Sequence, residues 1–139
     1  MTQENASQRG QTTYGYFRKL DKPFADAIIA TKEALKGQGF GVLAEIDIQK
    51  AMQEKLGVSY PPYMILGACN PKLAHQALGS EPELGLLLPC NVIVREADGS
   101  VEVGVIDAEK MLGFVENPAL APVGQQAAEK LRAALAAIQ

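Results

Sequence analysis

The sequence predicts an α+β domain: a five-stranded, largely antiparallel sheet with two long helices on one face. Three observations carry that expectation. Five short apolar stretches are rich in β-branched and aromatic residues, the mark of strands. Two longer stretches, 23–36 and 122–138, repeat their apolar residues at helical spacing. Asp98-Gly99 between two alternating runs marks a tight hairpin, which forces antiparallel pairing at one end of the sheet. Because strands and helices otherwise alternate, a mixed sheet is the runner-up architecture.

In order, residues 14–19 read as a first strand through their aromatic content. Asp21-Lys22-Pro23 opens a helix, with proline where its missing N–H does no harm. Phe24, Ala27, Ile28 and Leu35 form its stripe, and Gly37 or Gly39 ends it. Residues 40–46 form a second strand. Asp47 caps a short helix carrying Ile48, Met52 and Leu56, which Gly57 stops. Tyr60-Pro61-Pro62 leads into a third strand, 63–69. Asn70-Pro71 then places asparagine at an N-cap and proline at the first helical position. That helix buries Leu73, Ala74, Ala77 and Leu78, and Ser80 with Glu83 fits a capping box for one further turn. The fourth strand, 88–95, turns at Asp98-Gly99 into the fifth, 101–106. Asp107 caps a brief turn around Met111, and Pro122 opens a last helix striped by Val123, Ala127, Leu131, Leu135 and Ile138.

The 139 residues are 47% apolar and 21% charged, which fits one folded domain rather than a disordered chain. Residues 1–12 are polar and read as a flexible lead to a single domain at 13–139, with no apolar signal segment. Thirteen basic against sixteen acidic residues give a net charge of -3, which supplies no footprint for nucleic acid or an anionic membrane. The apolar run at 84–94 is broken by Gly85, Pro89, Cys90 and Asn91, far short of a membrane span. A cytoplasmic location with reduced thiols is the expectation. A single histidine, His75, rules out any site that needs two imidazoles.

Strict alternation puts Leu88, Cys90, Val92 and Val94 on one side of the fourth strand, with Pro89, Asn91, Ile93 and Arg95 on the other. In the second strand Phe40, Val42, Ala44 and Ile46 oppose Gly41, Leu43, Glu45 and Asp47, while the third is apolar on both sides. A sheet apolar on both faces needs cover on both. Two helices cover one face, so short helices, a ligand or a partner covers the other, and a homodimer is the simplest partner.

Gly37-Gln38-Gly39-Phe40-Gly41 has the glycines of a phosphate loop but leads from helix into strand, the reverse of what phosphate binding uses, and reads as helix termination. His75 lies opposite its helix's apolar stripe and reads as solvated. Glu45 is unusual in mid-strand: it is either solvent-facing or a carboxylate aimed into a groove. Cys69 and Cys90 carry the most information, each directly followed by an asparagine, Asn70 and Asn91. Cys69 precedes a helix N-terminus, which favours a thiolate, and Cys90 starts a strand beside Pro89. Three readings stand: two buried apolar thiols, a metal or ligand site, or a redox pair. Two thiols without an imidazole suit a soft ion such as Cu(I) better than four-coordinate zinc.

The stretches Gly39-Phe40-Gly41-Val42-Leu43-Ala44-Glu45-Ile46-Asp47, Ile65-Leu66-Gly67-Ala68-Cys69-Asn70-Pro71 and Gly85-Leu86-Leu87-Leu88-Pro89-Cys90-Asn91-Val92 resemble, in the same order, the family of domain-of-unknown-function number 302. The resemblance runs from about Tyr14 to Ile138. It implies a small prokaryotic α+β domain with a TATA-binding-protein-like order of strand, helix, four strands and helix, often dimeric, with no established activity. Its recurring Glu, Cys-Asn-Pro and Pro-Cys-Asn positions fall on Glu45, Cys69 to Pro71 and Pro89 to Asn91. The expected function is binding of a small ligand or soft metal ion in a groove that gathers Cys69, Cys90 and Glu45. Asn70 and Asn91 would fix the backbone there. The alternatives are a thiol enzyme using Cys69 as nucleophile, for sulfur transfer or redox chemistry, and a purely structural dimerisation domain.

Overall fold

The computed structural model describes residues 10–139. Its strands are β1 (Gly15–Leu20), β2 (Gly41–Asp47), β3 (Tyr63–Cys69), β4 (Cys90–Ala97) and β5 (Ser100–Ile106). They form one sheet in the order β1-β5-β4-β3-β2, and every neighbouring pair is antiparallel. The mixed-sheet alternative is therefore excluded. β1 and β2 are consecutive in the chain yet occupy opposite edges, so helix α1 (Phe24–Gly37) spans the sheet between them. The β4–β5 hairpin turns at Asp98 and Gly99, both left-handed with φ of 53° and 79°, the geometry that matches the twist of paired strands.

α1 buries Ala27, Thr31 and Leu35 and ends where Gly39 takes φ 84°, letting the Phe40 N–H return to the Leu35 carbonyl at 2.9 Å. In α2 (Ile48–Leu56), α3 (Pro71–Ser80) and α4 (Ala108–Gly113) the first turn is closed by Asp47, Asn70 and Asp107. Each side-chain oxygen accepts a backbone N–H three residues on. α5 (Ala121–Ala137) closes the fold, and Arg18 of β1 donates from Nη1 to the Leu135, Ala136 and Ile138 carbonyls at its end, at 2.9, 3.1 and 2.7 Å. One apolar core results: Leu66, Val92, Val94, Val103 and Val105 of the sheet pack with Ala27 and Leu35 of α1 and Leu131 and Ala134 of α5.

Three local features differ from the expectation. The Ser80–Glu83 capping box does not form: Ser80 is the last residue of α3, and the 3₁₀ turn Pro82–Leu86 has no side-chain cap. Asn117 caps an unforeseen 3₁₀ turn, Pro118–Leu120, through the Ala119 N–H. Within the lead, two backbone hydrogen bonds are made next to β1. The Gly10 carbonyl accepts the Phe17 N–H at 2.9 Å, and the Gly15 carbonyl accepts the Thr12 N–H at 2.8 Å. The rest of the lead, residues 1–9, lies outside the described residues.

The third difference matters most for the site. Val42 pairs with Ala68 but Ala44 pairs with Gly67, so Leu43 is an extra, bulged residue in β2. Strict alternation breaks there. Glu45 moves to the side of Val42 and Leu66, while Ala44 and Ile46 align with Gly67 and Ile65 on the other face.

Candidate functional site

At the end of the sheet where β3 stops and β4 starts, α3 closes over the core without filling the space beneath it. Small side chains cause the gap: Ala68 on β3, Ala74 and Ala77 on α3 and Ala127 on α5 all border a cavity of about 250 Å³. Cys69 and Cys90 stand in its wall together with Met111 of α4. The two thiols are brought there by strand pairing, since Ala68 lies opposite Cys90 and Cys69 is the next residue along. No charged side chain borders the cavity, and its polar member, Asn70, is occupied: Oδ1 accepts the Leu73 N–H at 3.3 Å and Nδ2 donates to the Gln38 carbonyl at 3.4 Å. Leu43, put out of register by the bulge, and Leu78 of α3 border the cavity while remaining exposed.

Both thiols are free. Burial pushes Cys90 up to about 11, with a smaller contribution from the neighbouring Cys69, and burial also raises Cys69. The helix N-terminus that follows Cys69 by itself favours a thiolate, one of the readings left open. Instead Asn70 answers an orphan N–H of that terminus, and desolvation dominates the thiol.

The structure thus gathers Cys69, Cys90 and Asn70 at one cavity and leaves Glu45 and Asn91 outside it. Glu45 is paired with Lys32 of α1 at 2.6 Å, with both side chains substantially exposed. The Leu43 bulge is what turns it toward α1. Asn91 is exposed and borders a depression on the opposite face of the sheet. His75 is exposed on α3. Among the described residues no cluster of three or more His, Cys, Asp or Glu side chains is placed to hold a metal ion.

That opposite depression, about 420 Å³, is bordered by Tyr14, Phe17, Tyr63, Ile93, Arg95 and Glu102. Glu102 is only 2% exposed. Its Oε1 accepts from Arg95 Nε at 3.0 Å and lies 2.9 Å from Arg95 Nη2, while the buried Oε2 has no hydrogen-bond partner. The Tyr63 hydroxyl is raised chiefly by burial, partly countered by Arg95. Sequence reasoning missed Glu102, although a signal was present. A two-residue turn at Asp98-Gly99 pairs Ala97 with Ser100 and, two steps on, Arg95 with Glu102, the one charged residue of an otherwise apolar β5.

This fold, with its Cys-Asn-Pro and Pro-Cys-Asn corners at one cavity, places the chain in a class defined by homology and not by activity. The chain belongs to the family described as Domain of unknown function DUF302, which matches residues 16–138. An uncharacterized protein of Aquifex aeolicus (strain VF5) is 34% identical over 94 residues, or 66% of this chain and 59% of that protein. The chain thus spans about three fifths of that relative's length. Among solved structures, the crystal structure of an uncharacterized conserved DUF302 protein from Bacillus stearothermophilus is similar with a TM-score of 0.85. It is 28% identical and covers 92% of this chain and 100% of its own.

Proposed function

We propose that the protein is a binding protein that takes a small, uncharged, apolar molecule into the cavity walled by Cys69 and Cys90. One observation carries this reading: a preformed space of about 250 Å³ bordered by no charged side chain, whose two thiols burial keeps protonated. Such a wall rewards apolar contact and polarisable sulfur, and it penalises an ion. A soft metal ion would have to displace protons that burial holds on both sulfurs, and a nucleophilic Cys69 would need the thiolate that the same burial opposes. The exposed Leu43 and Leu78 at the rim extend the apolar surface outward, so the ligand enters along aliphatic side chains.

A neutral fluorescent probe, N-phenyl-1-naphthylamine, tests the reading. Saturable binding of one probe per chain is expected. Ala74→Leu, which fills the space from a half-buried position, should weaken it by on the order of tenfold while the melting temperature holds or rises. Equal binding by the filled variant would overturn the proposal. So would capture of one equivalent of Cu(I) from a bicinchoninate competitor, lost in Cys90→Ser, with no probe binding at all.

A further inference from the structure

On the face of the sheet away from the long helices, register places Lys19, Glu102, Arg95 and Tyr63 side by side in one cross-strand row. The adjacent row holds Phe17, Gly104, Ile93 and Ile65. Gly104 leaves room for Phe17: a Cβ would come within 2.6 Å of the Phe17 ring and push it aside. The result is a depression of about 420 Å³ with an apolar floor, aromatic walls and one ion pair.

That ion pair is incomplete in a particular way. Both Arg95 contacts fall on Oε1 of Glu102, through Nε and Nη2, so Nη1 takes no part in the pair. Oε2 is shut off from solvent with no donor, the one such buried side-chain atom among the described residues. A buried carboxylate oxygen without a donor is costly and uncommon, and it marks a place where a donor is missing. Glu102 thus has an unmet acceptor and its partner Arg95 a donor to spare; Lys19 and Arg95 already flank the carboxylate, which leaves no call for a cation, and the open Oε2 disfavours an anion, so an uncharged donor fits best.

We propose that this depression is a second binding site, for a planar uncharged molecule carrying an N–H next to a carbonyl, the edge of a cyclic amide or urea such as a nucleobase ring. The ligand N–H donates to Glu102 Oε2 and its carbonyl accepts from Arg95 Nη1. The ring lies against Phe17 and Tyr63, where offset or edge contacts with aromatic walls favour a flat partner. The depression is open but Oε2 is covered in the free protein, so binding includes a shift of the side chains around that atom, among which Phe17 and Tyr63 are only half-buried.

Uridine and N3-methyluridine, identical except for the donor, are the probes. Titrated into ¹⁵N-labelled protein, uridine should shift the Ile93, Glu102 and Gly104 amides saturably, and N3-methyluridine should bind on the order of tenfold more weakly or less. Glu102→Gln, checked for fold by its own spectrum, should lose a similar factor. If that variant does not fold, the two nucleosides on the unaltered chain decide alone. No shift at millimolar uridine overturns the proposal, and so do equal shifts from both nucleosides. Shifts of the same amides with protein concentration alone, uridine adding nothing, would give the face to a second copy of the chain and overturn it as well.

Discussion

Cys90 and Glu45 show how position, rather than residue type, decides what an ionisable side chain does. Cys90 is 8% exposed and its thiol is held up to about 11, whereas an unfolded chain's thiol titrates near 9. The folded state then holds a proton that the unfolded state gives up. This contribution to stability is whole below pH 9 and is lost as pH rises through 11. The two-unit gap corresponds to about 2–3 kcal/mol. The stability of the unaltered chain minus that of Cys90→Ala, measured by urea unfolding, should fall by that amount between pH 9 and 11 and stay flat from pH 6 to 8. At pH 8 a maleimide should modify the half-buried Cys69 well before Cys90, because thiolate fraction and access both favour it. Glu45 is the opposite case. Its pair with Lys32 stands in solvent, so Glu45→Ala should change stability by no more than about 0.5 kcal/mol and leave probe binding in the cavity untouched.

At the scale of elements, the local signals were readable and the distant ones were not. Asp47, Asn70 and Asp107 cap helices because a short oxygen side chain meets an N–H three residues away, a relation contained within a few letters of sequence. The tight turn at Asp98-Gly99 was legible for the same reason, and it fixed the register of β4 on β5. The Leu43 bulge left no such mark. A period of two assumes one residue per step, and only pairing with β3 shows that β2 carries one too many. Whether the two thiols meet was open from the sequence, and the cavity they border was not legible at all, because it is space left by alanines on β3, α3 and α5. Arg18 belongs to this group too. It lies more than a hundred residues from the carbonyls it caps, yet it brings three hydrogen bonds and a positive charge to the negative end of α5. Arg18→Met, which keeps the stem and removes the donors, should cost about 1–3 kcal/mol by denaturant titration. Asn70→Ala should cost about 1 kcal/mol. If Arg18→Met were silent, the end of α5 would be held by packing alone.

The molecule as a whole is one sheet with two unlike faces. All the long-helix packing is on one side, where Val92, Val94 and Val103 have no exposed surface and meet residues of α1 and α5. On the other side Ile93, Ile65 and Phe17 stay half-exposed around Glu102 and Arg95. The sequence reading found both faces apolar but could not say which one the helices choose. That choice rests on the summed fit of Ala27, Leu35, Leu131 and Ala134 to the valine rows, a property of the assembled layers. Two neighbouring residues test it directly. Val92 and Ile93 are adjacent in β4 and point to opposite faces, with Val105 and Gly104 as their partners in β5. Replacing Val92 with threonine places a hydroxyl under the helices with neither water nor a free acceptor, which should cost about 1–3 kcal/mol, a sizeable share of a domain's total stability. At Ile93 the same replacement leaves the hydroxyl facing an open depression, and the loss should stay below about 1 kcal/mol. Comparable losses at both sites would mean that the second face is covered as tightly as the first. The two-faced architecture, and the exposed depression that depends on it, would then both be wrong.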